Sequence, residues 1–101
     1  MNSFTIDRKE LWGLLRTMKP FMKQYTKAKA LKIKTEIVFF AGILTMSIPD
    51  SQVRARCEMR GSGAIHIPFT TIYLYVSKSK EKKITVTLLS EGYMIGNTQF
   101  Q

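Results

Sequence analysis

The chain reads as an α+β domain in which the order strand, helix, three strands (βαβββ) occurs twice, with both helices packed on antiparallel sheet. Three observations predict this. Several short runs alternate apolar with polar residues, the period of a half-buried strand. Two segments instead space their apolar residues by three and four, which gathers them on one face of a helix. Gly, Pro, Asp and Asn punctuate the joins, so the connections are short and the strands pair as hairpins.

The first half opens with Phe4-Thr5-Ile6, a short strand. Asp7 is placed to cap a helix, with Glu10 three residues on completing a capping box. Leu11, Leu14, Leu15, Met18 and Met22 form one helical face. Pro20 would end or kink that helix, making Phe21–Gln24 a separate turn, and the basic stretch Tyr25–Ala30 reads as a loop. Leu31–Phe40 predicts a long strand, with Leu31, Ile33, Thr35, Ile37 and Phe39 on one face. Ala41-Gly42 is a tight turn, Ile43–Ile48 a second strand, and Pro49-Asp50-Ser51 a further turn. Gln52–Arg60 predicts a third strand, with Val53, Ala55, Cys57 and Met59 inward and Arg54, Arg56, Glu58 and Arg60 outward.

After Gly61-Ser62-Gly63 the plan repeats. Ala64–Ile67 is a strand, and Pro68 suits the first position of a helix whose apolar face is Phe69, Ile72, Tyr73 and Val76. Ser77–Lys83 is a charged connection. Ile84–Leu89, Tyr93–Ile95 and Thr98–Gln101 are the closing strands, with turns at Ser90-Glu91-Gly92 and Gly96-Asn97.

The order and spacing of these segments resemble one domain of the DNA sliding clamps, and most closely the first domain of the bacterial DNA polymerase III beta subunit. Phe4-Thr5-Ile6-Asp7-Arg8 followed by Leu11 resembles that family's first strand and helix start. Leu44-Thr45, Val53-Arg54-Ala55-Arg56, and Gly63-Ala64-Ile65-His66-Ile67-Pro68 with Ile72, Tyr73 and Val76 fall where the family has its hairpin, its outward-charged strand and its strand–proline–helix junction. The likeness covers about residues 3 to 100 and rests on no single diagnostic motif. It implies a single DNA clamp-like domain over residues 1–101. It also implies a non-catalytic role, in which a ring holds a replication or repair factor on DNA. Family rings contain six such domains, so one domain per chain implies a homohexamer. Thr70 and Thr71 stand where the family's second helix often begins with basic residues, and no position here matches the family's peptide-binding pocket.

Charge agrees with such a partner. Sixteen Lys and Arg against seven Asp and Glu give a formal charge of +9, which attracts polyanions. On a helical wheel, with Leu11 at zero, Arg8, Lys9, Arg16, Lys19 and Lys23 all fall between about 60° and 160°, apart from Glu10. Cations sorted onto one face suit phosphate contact without sequence preference, although charged helix faces are commonly just solvated. Lys27 and Lys29 in the following loop extend the candidate DNA-binding set. Lys78 and Lys80 complete it, within a run (Lys78, Lys80, Lys82, Lys83) that reads more readily as solubilising.

Other chemistry has little support. Cys57 is the only cysteine and His66 the only histidine, so no internal disulfide can form and no metal-ligand spacing exists; no metal or cofactor is expected. Gly61-Ser62-Gly63 leads into a strand, unlike a phosphate-binding loop, and no two acids are placed as general acid and base, so no enzyme is predicted. Residues 1–10 have no secretory-type apolar core, and Ile37–Met46 is too short for a membrane helix, which needs about 20 residues. A cytoplasmic location without membrane contact is expected. The alternative reading is a monomeric clamp-like protein that binds a protein partner through exposed aromatics and its six methionines. Single-stranded nucleic acid on an aromatic sheet face is a third reading, but Trp12, Tyr73 and Tyr75 read as packing residues.

Overall fold

The computed structural model describes residues 2–101. It runs β1 (Ser3–Asp7), α1 (Arg8–Met18), a 3-10 stretch (Lys19–Gln24), α2 (Lys27–Ala30), β2 (Lys34–Phe40), β3 (Ile43–Ile48), β4 (Ser51–Arg56), β5 (Glu58–Arg60), β6 (Gly63–Pro68), α3 (Phe69–Lys78), β7 (Lys83–Leu88), β8 (Tyr93–Ile95) and β9 (Thr98–Phe100). The predicted α+β class and the duplicated βαβββ order are present, in two antiparallel sheets ordered β5-β1-β7-β8-β9 and β4-β3-β2-β6.

The halves exchange their first strands. β1 pairs with β7 of the second half, from Ser3 opposite Thr87 to Asp7 opposite Lys83. β6 pairs with β2 of the first half, from Lys34 opposite Pro68 to Phe39 opposite Gly63. The Phe4 and Phe39 rings, one from each sheet, meet at 5.2 Å between centroids. Leu11, Leu15 and Met18 of α1 and Phe69, Ile72 and Val76 of α3 are buried against the same core, and the two helices touch each other. Burial of these side chains is the main stabilising term, at about 1.5–3 kcal/mol for each large apolar residue.

The β2–β3 hairpin follows the predicted alternation, with Ile37 opposite Met46 and Phe39 opposite Leu44, all fully buried. Its turn residues Ala41 and Gly42 have φ of 52° and 82°, the left-handed pair that matches strand twist in a two-residue hairpin.

Five expectations need correction. The segment Gln52–Arg60 is two strands, not one: β4 pairs with β3 only as far as Arg56 opposite Ile43, where β3 begins. Beyond that point no partner remains, so the chain passes through Cys57, whose N–H donates to the Gly42 carbonyl at 3.1 Å, and β5 joins β1. The expected loop Tyr25–Ala30 contains a helical turn, begun by Thr26, whose Oγ1 accepts from the Lys29 N–H at 3.3 Å. That turn continues through Lys32 N–H to Lys29 O and Ile33 N–H to Ala30 O. The strand therefore starts at Lys34, and Leu31, expected on the strand face of Ile37 and Phe39, is 60% exposed. Asp7 occupies the N-cap of α1 but makes no side-chain cap bond, so the capping box does not form; its backbone stays in the β1 ladder opposite Lys83. Pro68 is the last residue of β6 and the N-cap of α3, one position earlier than expected. The first helical N–H, that of Phe69, donates to the Ile33 carbonyl at 3.0 Å.

Candidate nucleic-acid interface

Pro20 lacks the N–H that α-helical continuation needs, so α1 stops at Met18 and Lys19–Gln24 tightens into 3-10 geometry. Lys19 and Lys23 therefore do not lie on the α-helical wheel. The tighter winding still leaves them beside Arg16: these three cations, with Pro20 and Tyr73 of α3, line a cleft of about 290 Å³. The Lys19 ammonium sits 4.6 Å from the centroid of the Tyr73 ring, a cation–π contact. Tyr73 is itself held between Trp12 at 4.8 Å and Phe69 at 5.6 Å, which fixes the wall of the cleft.

Arg8 and Lys9, at the other end of α1, form a separate group. With Lys80, Lys82, Asp7 and Glu81 they line a second cleft, of about 320 Å³. The Arg8 N–H donates to the Lys82 carbonyl at 2.8 Å, so the pairing of β1 with β7 brings these basic segments together. Lys78 and Lys80 also border an open depression of about 620 Å³ with Leu74, Tyr75 and Phe100. Lys27 and Lys29 are exposed on α2 and line none of these three surfaces. The single arc of cations predicted on the wheel is thus two clusters at opposite ends of α1.

Electrostatically the two clusters differ. Asp7 and Glu81 dilute the charge of the second, whereas no carboxylate lines the first. Among the described residues one ion pair is Lys83 with Glu58 at 3.5 Å, and His66 lies 3.4 Å from Glu36, a charge pair only when the imidazole is protonated; both are exposed and neither involves Arg16, Lys19 or Lys23. Tyr73 and Lys82 were not singled out as candidate contacts by the sequence. The signal for Tyr73 was its spacing of four from Phe69, which places it at the rim of the apolar helical face.

Cys57 sits at the crossing between the sheets, half-buried. Burial, reinforced by the nearby carboxylates of Glu10 and Glu58, pushes its thiol above the usual range, so it is a protonated packing group rather than a nucleophile. His66 lies in β6 directly opposite Glu36, an exposed cross-strand pair.

No protein-family model matches this chain, and no curated protein matches it in sequence. Solved structures do match in fold. A DNA polymerase III subunit beta DnaN sliding clamp from Bartonella birtlesii superposes with a TM-score of 0.79 at 19% identity, over 99% of this chain and 30% of that one. The Helicobacter pylori beta clamp, solved with carprofen, gives 0.79 at 14% identity over 97% and 28%. The DNA polymerase III beta subunit of Thermotoga maritima gives 0.74 at 18% identity over 99% and 29%. The chain spans less than a third of the length of the structures it matches.

Proposed function

We propose that this chain, with the fold of one sliding-clamp domain, is a non-catalytic protein that holds DNA without sequence preference. The observation that carries the reading is the first cleft: Arg16, Lys19 and Lys23 gathered around Tyr73, with no carboxylate in the lining. Cations in such a row replace condensed counterions along a phosphate backbone, and phosphates carry no base information. Arg8, Lys9 and Lys80 supply a second, weaker set, with Lys27, Lys29 and Lys78 at the margin.

In this reading residues 1–101 form one clamp-like unit and several copies close a ring in the cytoplasm that tethers a polymerase or repair factor. Six copies of an 11.6 kDa chain make a particle of roughly 70 kDa. β4 and β9 are edge strands whose outer backbone groups have no strand partner, which suits pairing between copies. The test is sedimentation with and without duplex DNA. A mass near six chains supports the ring, and a single-chain mass at working concentration removes it.

A second reading, a monomeric clamp-like module that binds a protein without encircling DNA, is favoured by the exposed apolar side chains Phe40 and Val38. Salt separates the two readings: phosphate binding weakens steeply as salt rises, and apolar docking does not.

A further inference from the structure

The register of the sheet β4-β3-β2-β6 fixes which side chains share its outer face. Phe40 stands opposite Ile43, and Ile43 opposite Arg56. In the next row Ala64, Val38, Thr45 and Arg54 stand side by side across all four strands. Phe40 is 68% exposed and Val38 37%. An apolar strip in which Phe40, Val38 and Ala64 are exposed and Ile43 is half-buried therefore lies beside Arg54, and its inner-face neighbours Ile37, Phe39, Leu44 and Met46 are fully buried.

We propose that this face is a docking surface for an acidic segment of a partner protein, anchored by apolar side chains on Phe40 and Val38 and by a carboxylate on Arg54. A phenylalanine this exposed at the end of β2, paired with Ile43 beside the hairpin turn, is a poor solvent-facing residue and a good interface anchor. Arg54 has no ion-pair partner among the described residues, and its own row of Ala64, Val38, Thr45 and Arg54 holds no acid; the next row on this face carries Glu36, which lies against His66 at 3.4 Å rather than against Arg54. Arg56 is less available, because it borders a shallow cleft with Glu10 and Glu58. A second copy of this chain is a worse occupant: a two-fold face-to-face contact would set arginines near one another between chains of charge +9 each. The proposal does not depend on the DNA-binding reading, since α1 and its clefts share none of these side chains.

The test uses the full chain and two synthetic peptides, one alternating glutamate with leucine and the other glutamate with alanine. Fluorescence anisotropy gives affinity, and amide shifts in a nitrogen-15 spectrum give location. The expected result is that the leucine peptide binds at least about tenfold more tightly than its alanine counterpart. Its shifts fall on the outer rows of β2, β3 and β4. Phe40→Ser, Val38→Thr and Arg54→Glu each weaken it, and Leu74→Ser, on exposed helix surface, leaves it unchanged. Both Phe40 and Val38 already face water, so their replacement leaves the core intact; Val38→Thr also keeps the β-branched shape that suits a strand. Equal affinity for the two peptides, or shifts centred on α1, would overturn the proposal. Duplex DNA shifting the Phe40 and Arg54 amides would assign the face to nucleic acid instead and overturn it equally.

Discussion

The charge around the Tyr73 cleft can be removed without touching the core, because Arg16, Lys19 and Lys23 are all exposed. In the triple variant Arg16→Gln, Lys19→Gln, Lys23→Gln, the amide keeps much of the side-chain length and loses the charge. Each phosphate contact contributes about 0.9 to the slope of log affinity against log salt, so three lost contacts lower it by about 2.7. Between about 50 and 200 mM salt, those contacts would account for a roughly 40-fold loss of affinity in the wild type that the variant no longer shows. The three positions are not equal. The Lys19 ammonium must leave Tyr73, 4.6 Å away, to reach a phosphate, and that contact is worth about 0.5–1 kcal/mol at an exposed site. Lys19→Gln alone should therefore cost two- to five-fold less affinity than Arg16→Gln alone, on the order of the cation–π term it releases. Fluorescence anisotropy of a labelled duplex across a salt series reads all of these. Lys83→Gln, which removes a lysine paired to Glu58, is the control. A triple variant whose slope equals that of the wild type would refute the assignment of this cleft to DNA.

Four further outcomes follow from the packing. Thr35 is fully buried opposite Ile67, with no hydrogen-bond partner for Oγ1 among the described residues; Thr35→Val should stabilise the fold by about 1–2 kcal/mol, read as a rise of roughly 4–8 °C in Tm per kcal/mol. Gly92 has φ of +84°, and a Cβ there would collide with the Phe100 carbonyl oxygen and lie 2.9 Å from the Gln101 Cα, so Gly92→Ala should cost about 2–4 kcal/mol by denaturant titration. Gly13→Ala, in α1 with nothing within 4 Å of the added methyl, should instead gain up to about 1 kcal/mol in the same assay. Since only the thiolate reacts and burial raises the Cys57 pKa, iodoacetamide should label the native protein more slowly than the unfolded chain, and the native rate should climb at higher pH than for a free thiol.

The alternation of Lys34–Phe40 and Ile43–Ile48 made the central hairpin legible to the residue, because each strand there has one face buried. The same alternation hid the crossing at Cys57. Exposure keeps its period of two from Ser51 to Arg60, so the side chains give no sign that the hydrogen-bonding partner changes from β3 to β1. Leu31 and Ile33 continued the pattern of β2 by coincidence, and the Thr26 cap decided otherwise. The basic character of the α1 surface was readable, but its division was not. Arg16, Lys19 and Lys23 cluster because Pro20 changes the winding, whereas Arg8 and Lys9 meet Lys80 and Lys82 through strand pairing across more than seventy positions. A helical wheel contains neither effect.

The exchange of first strands also governs how the protein can be made. The Thr5 and Thr85 hydroxyls hydrogen-bond at 2.8 Å across 80 positions, and until β7 leaves the ribosome β1 has no central neighbour. Neither βαβββ half holds a complete sheet, so the halves must close cooperatively and late, at the speed of long loops rather than of local hairpins. The same interlock predicts that a chain nicked in the exposed Gly61-Ser62 link stays assembled as two fragments, each filling the gap left in the other.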